Sequence, residues 1–260
     1  MNFSVTQNGV PLNPSLYTWD EKTRTFSTNE CQLVLDFRGQ HGVTFELPNS
    51  GDCLFKTGDR CIFRTSDVCT FDTGGSCKFE TGSHCSFFTS SSCAFITQYG
   101  CIFKTGENCK FITESTCTFS TDEECTFKTG DFCVFDCESG CEFDTGDGCN
   151  FDTGNECKFD TGTECTFEVG CDCIFDVGPG CVIVDRIASQ VIYLNDVSNH
   201  YDMKKTVQYN FDDLCLTVFR NREDLGYSIT GHGKNIEELK QILPKDMYDN
   251  LVRDMFEKLA

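Results

Sequence analysis

No stretch of this 260-residue chain is long and apolar enough to span a bilayer. Its N-terminus, Met1-Asn2-Phe3-Ser4-Val5-Thr6-Gln7-Asn8, lacks the charged region and apolar run of a secretory signal. A cytoplasmic location is therefore expected, with no secretion and no membrane partner. Clusters of Lys and Arg are also missing. With 21 basic against 41 acidic residues the formal charge is −20 and the pI near 4.4. That balance argues against a nucleic-acid phosphate backbone or an anionic lipid surface. It leaves a basic protein partner, cations or plain solubility. Histidine is scarce: His41, His84, His200 and His232 are scattered, with no Ser-His-acid or Cys-His grouping around them. The Gly231-His232-Gly233 segment is too short for a phosphate loop. No enzyme, no cofactor and no small-molecule substrate is expected.

What the chain has instead is cysteine, 21 in all. From Cys53 to Cys181 one falls on every eighth residue, seventeen times running, in a unit that reads C-x-F-x-T-G-x-x. Phe follows two places later from Phe55 to Phe175, and Ile183 takes that place in the last unit. Thr fills the fifth place from Thr57 to Thr161 except at Cys137, and Val169 and Val177 fill it in two later units. Strict repetition specifies an array, not an enzyme pocket.

Places 1, 3 and 5 hold Cys, Phe and Thr, while places 2 and 4 vary and are often polar. This period-two alternation makes a five-residue strand with one face inward. Gly is the commonest residue at place 6, as at Gly58, Gly74 and Gly82, and marks a turn that needs positive φ or a close backbone approach. A unit this short keeps every Phe on one side only if the chain coils, each strand pairing with its equivalent one coil above and below at about 4.8 Å. The predicted fold is mainly β, a parallel β-solenoid (β-helix) with Phe, Cys and Thr ladders inside. Two octads per coil would give a flattened body with Phe facing Phe and Cys facing Thr near each edge. Three would give a triangular prism. The charged residues at place 2, Lys78, Lys110, Glu142 and Lys158, are separated by multiples of sixteen, which favours two octads. Ile96 and Ile112 agree, although Phe88 and Ile112 are twenty-four apart.

The chain resembles short-period β-solenoids, the class of pentapeptide-repeat and hexapeptide-repeat proteins and cysteine-rich insect antifreeze proteins, although its octad matches none of their consensus units. It is also similar to cysteine-rich repeat proteins of large DNA viruses. Their arrays read like Gly130-Asp131-Phe132-Cys133-Val134-Phe135, and their N-terminal segments like Asn13-Pro14-Ser15-Leu16-Tyr17-Thr18-Trp19-Asp20-Glu21. That resemblance covers about residues 10–180 and implies a viral origin, and with it a virion location as the alternative to a cytoplasmic one, without an activity.

Zinc sites draw on ligands at short spacing, whereas these cysteines are eight apart and point into an apolar Phe ladder. Only Cys171-x-Cys173 is close, and its spacing sends the two side chains to opposite faces of a strand. No metal site is expected. Parallel in-register Cβ atoms also lie farther apart than a relaxed disulfide prefers, so mostly reduced core thiols are predicted.

The flanks divide the chain into an N-terminal cap over 1–44, the octapeptide array over 45–185 and a C-terminal α+β cap over 186–260. Residues 3–5, 24–28 and 31–37 read as strands. Phe45 and Leu47 fall in the Cys and Phe register, so that a degenerate unit begins near Val43. An open solenoid end exposes unpaired strand edges, which the segment with Trp19 is expected to cover. Beyond the array, 191–194, 206–209 and 214–219 read as strands and 235–243 as a helix. Residues 245–259 carry Met247, Tyr248, Leu251, Val252, Met255, Phe256 and Leu259 on one face of a terminal amphipathic helix.

Two surfaces stand out. A sheet bearing Leu54, Ser86, Phe88, Ile102, Thr118, Ser120 and Val134 is low in charge and suits a protein partner or self-association as a homodimer. Place 4 carries Asp136, Asp144, Asp152, Asp160, Glu168 and Asp176 in six consecutive units, two acidic columns in a two-sided coil. Such columns keep an edge-rich body monodisperse, bind Ca²⁺ or a basic partner, or mimic DNA before a DNA-binding protein. Ice binding is discounted because the alternation turns the Thr ladder inward. The expected function is a structural or protein-interaction scaffold, with an acidic DNA-mimic inhibitor and a cation-binding solenoid as rivals.

Overall fold

Every octad of the array becomes a three- to five-residue strand and a corner, and successive strands alternate between two sheets. The computed structural model describes residues 3–49 and 51–185, together with the strands Gln190–Leu194, Asn199–Asp202, Val207–Phe211, Leu214–Arg220 and Tyr227–Thr230. Sheet I has 13 strands and sheet II has 12. Among the described residues the helical content is a single 3-10 turn, Pro14–Leu16. Within the array each strand is parallel to those sixteen residues before and after it. Phe71 lies between Phe55 and Phe87 on sheet I, and Phe79 between Phe63 and Phe95 on sheet II. The fold is thus the parallel β-solenoid with two octads per coil, and the prism is excluded.

The alternation works as its period demands. Cys and Phe from Cys53 to Phe175 are at most 3 % exposed, apart from Cys171, which is half-buried, Cys137, at the threonine place, and the outward-facing Phe88 and Phe132. Within a sheet the rings stack face to face at the strand spacing, as for Phe103 on Phe119 at 4.8 Å and 3°. Across the core they meet edge to face, as for Phe111 against Phe119 at 5.2 Å and 75°. The ladder imposes the first contact, and the ring quadrupole favours the second.

The corners divide between two places the demands expected of one. Positive φ falls on place 8, immediately before each cysteine, and most of these residues are not glycine: Arg60, Val68, His84, Thr116 and Phe132 all lie between +55° and +61°. In this conformation the place-8 N–H points along the rod, and that of Arg60 donates to the Gly75 carbonyl of the next coil at 2.9 Å. A β-branched residue such as Val68 in the left-handed region costs roughly 1–2 kcal/mol, a strain held by hydrogen bonds above and below.

Glycine at place 6 instead answers to the residue fifteen positions earlier. Asp59 Oδ1 accepts from the Gly75 N–H at 3.0 Å, Asp67 Oδ1 from Ser83 at 2.8 Å, and Asp131 Oδ1 from Asp147 at 3.0 Å. Each acceptor occupies the space where a Cβ of Gly74, Gly82 or Gly146 would stand, at 2.0, 1.8 and 1.8 Å. Where the earlier residue is Gly75, Tyr99, Glu107 or Glu123, place 6 is free to be Ser90, Glu114, Asp122 or Glu138. Gln98 over Ser83 is the exception, and there the two side chains hydrogen-bond at 3.0 Å.

Parallel winding begins ahead of residue 45. Thr25–Thr28 is parallel to Thr44–Leu47, and Leu33–Phe37 to Leu54–Thr57. Phe45 stands opposite Phe63, so it takes the Phe place and not the Cys place, while Val43 and Leu47 take those of Cys and Thr. The reason is local: five residues lie between Leu47 and Cys53 where three lie between Thr57 and Cys61. The two extra turn residues shift the register.

Antiparallel strands close both ends. Ser4–Gln7 covers sheet I along Leu33–Phe37, and Tyr17–Asp20 covers sheet II along Thr25–Thr28. Phe3 stacks on Phe37 at 4.2 Å, and Trp19 lies 5.3 Å from Phe3, so the aromatic column ends in a ring that shields it. At the other end Gln190–Leu194 runs antiparallel to Cys181–Asp185, and Asn199–Asp202 to Ile174–Val177. Strands 207–211, 214–220 and 227–230 form a separate antiparallel sheet. The two helices expected over 235–259 lie outside the described residues.

Candidate functional site

The residues with the most reactive chemistry are the least accessible. From Cys77 to Cys173 each repeat thiol sits in a corner and reaches a carbonyl of its own corner and one of the coil before. Cys101 Sγ lies 3.8 Å from the Tyr99 oxygen and 3.6 Å from the Gly82 oxygen. Several also accept a backbone N–H, as Cys85 Sγ does from Cys69 at 3.4 Å. A weak donor of small volume therefore finds a partner for every polar atom it brings into the core.

The thiols stack into two columns, and a thiolate at one rung draws S–H donation from the rungs beside it. Cys77 accordingly draws the Cys61 thiol down to about 6, while Cys61, Cys93 and burial push Cys77 up. Cys53, Cys85 and burial likewise hold Cys69 well above the usual thiol range. Desolvation opposes ionisation at every one of these rungs. Among the described residues no disulfide joins any pair of cysteines.

The outer faces carry the candidate binding residues. Leu54, Ser86, Phe88, Ile102, Thr118, Ser120 and Val134 all lie on sheet I. Ile102, Thr118 and Val134 follow one another in a single column, and Phe88 flanks it in the neighbouring column between Asp72 and Lys104. Phe88 is 47 % and Ile102 51 % exposed. The acidic residues form two columns: Asp136, Asp152 and Glu168 on sheet I, and Asp144, Asp160 and Asp176 on sheet II. Lys128 reaches Asp144 at 2.7 Å, and Lys158 reaches Glu142 at 2.8 Å. Both lysines are held above their ordinary pKa by those hydrogen bonds and the adjacent carboxylates.

The pair whose sixteen-residue spacing points to two octads per coil is also a second exposed apolar patch. Ile96 and Ile112 are direct neighbours on sheet II, each about half exposed at 53 % and 52 %. Arg64 bridges Glu46 and Glu80 at 3.3 Å each on the same sheet. Place 4 of every second octad holds Arg64, Glu80, Ile96 and Ile112 once the coil is known to have sixteen residues.

Charge is distributed unequally along the rod. Residues 53–116 contain six acids and six bases, whereas 117–180 contain sixteen acids and two bases. An open groove of about 390 Å³ near the N-terminal end lies between Leu16, Tyr17, Ser27, Thr28, Glu46 and Pro48. Among the described residues no three His, Cys, Asp or Glu side chains converge as metal ligands would. No family model, curated protein or solved structure matches the chain.

Proposed function

We propose that the protein is a non-enzymatic structural or protein-interaction scaffold, a component of a virus particle or of infected cytoplasm. The observation that carries this reading is the division of labour in the octad. Its thiols are spent on the interior, and within each strand its variation falls on places 2 and 4, which build two regularly spaced outer faces. Such a surface suits recognition of protein, including a second copy through the sheet I residues around Phe88 and Ile102. Phe88→Lys is expected to weaken that homodimer while leaving the β-sheet circular dichroism unchanged. Light scattering that returns the same mass for both proteins rejects the sheet I interface.

The unequal charge supports one rival. An acidic half-rod of sixteen carboxylates against two bases can present a DNA-like field to a DNA-binding protein. On that reading the purified chain inhibits a DNA-processing enzyme at stoichiometric concentration, and high salt abolishes the effect. The cation-binding reading has less to support it, because the place-4 carboxylates stand in rows and do not surround a point.

A further inference from the structure

The outward columns of sheet II have an order that none of the readings above uses. Along place 4, six successive rungs read Arg64, Glu80, Ile96, Ile112, Lys128 and Asp144. Turned end for end about the midpoint between Ile96 and Ile112, the series places each residue against a complement: arginine on aspartate, glutamate on lysine, isoleucine on isoleucine. Place 2 of the same rungs reads Ile62, Lys78, Ala94, Lys110, Thr126 and Glu142, and the same turn brings no like charges together.

We propose that sheet II is a docking face for a second copy of this chain, laid antiparallel across a twofold axis between the Ala94–Ile96 and Lys110–Ile112 strands. A twofold axis along the strand direction keeps place 4 opposite place 4 and reverses the order of the rungs, which is the operation the series fits. Ile96 of each copy then covers Ile112 of the other, withdrawing the exposed apolar pair of sheet II from water. On either side Arg64 meets Asp144 of the second copy and Glu80 meets Lys128. Arg64 already touches Glu80 at 3.3 Å, and Lys128 touches Asp144 at 2.7 Å, so each set closes into a ring of four alternating charges. All four side chains keep about half or more of their surface exposed and are free to reach across.

The unequal charge of the rod selects the orientation. Parallel pairing, about a twofold along the rod, would turn place 4 onto place 2 of the same rung, setting Asp144 against Glu142 and leaving Ile96 on Ala94 and Ile112 on Lys110. The antiparallel arrangement lays Glu142 and Asp144 beside the rung of Ile62 and Arg64. The complementary series ends at these six rungs, since the next one out sets Glu46 against Asp160; at about 4.8 Å per rung and a strand about 15 Å wide they give roughly 430 Å² per copy, at the small end of specific interfaces and suited to a reversible dimer.

Sedimentation equilibrium of the full chain tests this. Arg64→Asp and Asp144→Arg, each striking two symmetry-related contacts, are expected to raise the dimer Kd about tenfold or more, and R64D/D144R together to recover at least about threefold of that loss, because the swap restores the pairs between copies while leaving Glu80 and Lys128 each beside a like charge on its own chain. Glu80→Lys, Lys128→Glu and their combination repeat the experiment at an independent pair should either first variant fail to fold. Phe88→Lys, on the opposite sheet, should leave this Kd unchanged, which separates the inference from the sheet I interface. The inference is overturned by a monomer at about 100 μM, by a combined swap as weak as its singles, or by a dimer that Phe88→Lys abolishes and Arg64→Asp does not.

Discussion

Replacing Phe119 by alanine is expected to remove about 3–5 kcal/mol of stability, the usual cost of deleting a buried aromatic ring. The ring is fully buried. It stacks on Phe103 and Phe135 at 4.8 Å and meets Phe111 and Phe127 edge-on at 5.2 Å. Its loss leaves four aromatic neighbours facing a void that the hydrogen-bonded ladder prevents from closing. Leucine at the same position should cost less, because part of the volume is kept. A solenoid couples each coil only to its neighbours, so a gap in mid-array weakens the connection between the two halves. The single tryptophan, Trp19, lies in the N-terminal cap against Phe3 and reports on that end alone. In urea, far-UV circular dichroism and Trp19 fluorescence should change together in the parent and separately in Phe119→Ala. A variant within 1 kcal/mol of the parent would contradict the cavity argument.

Gly146→Ala is expected to cost about 2–3 kcal/mol, since the new Cβ would stand 1.8 Å from Asp131 Oδ1 and force that carboxylate off the Asp147 N–H. The cost belongs to the pair and not to the glycine. Combining Gly146→Ala with Asp131→Gly recreates the arrangement of Ser90 over Gly75, in which the later residue keeps its side chain because the earlier one has none. The double variant should therefore be more stable than the sum of the two single effects by at least about 1 kcal/mol, a coupling read from a double-mutant cycle in urea. Strict additivity would place the cause in the glycine's own backbone freedom. Gly146 is not among the residues with positive φ, which already favours the steric account.

These two experiments probe different kinds of information. That Phe119 points inward is visible from its neighbours in sequence, because side chains alternate about a strand whatever the strand packs against. That Gly146 answers to Asp131 is also written in the chain, yet it becomes readable only once the coil is known to hold sixteen residues. The same holds for the candidate faces. Leu54, Phe88 and Ile102 share a sheet because two octads close a coil, and with three they would not. Phe45 stands two positions from the register that the octad period predicts because the turn after Leu47 is two residues longer than the corners of the array, and local alternation contains no measure of turn length.

The chain by itself determined which side chains enter the core, the length of the repeating unit and the need for covered ends. Those follow from strand geometry and from the cost of an unpaired edge. Tertiary structure alone decided which corner residue adopts the left-handed conformation, which acceptor fills the place a Cβ would take, and which columns stand side by side on each face. Each of these is a relation between coils, fixed when the backbone of one coil hydrogen-bonds to the next at a separation that the period of a single strand does not specify.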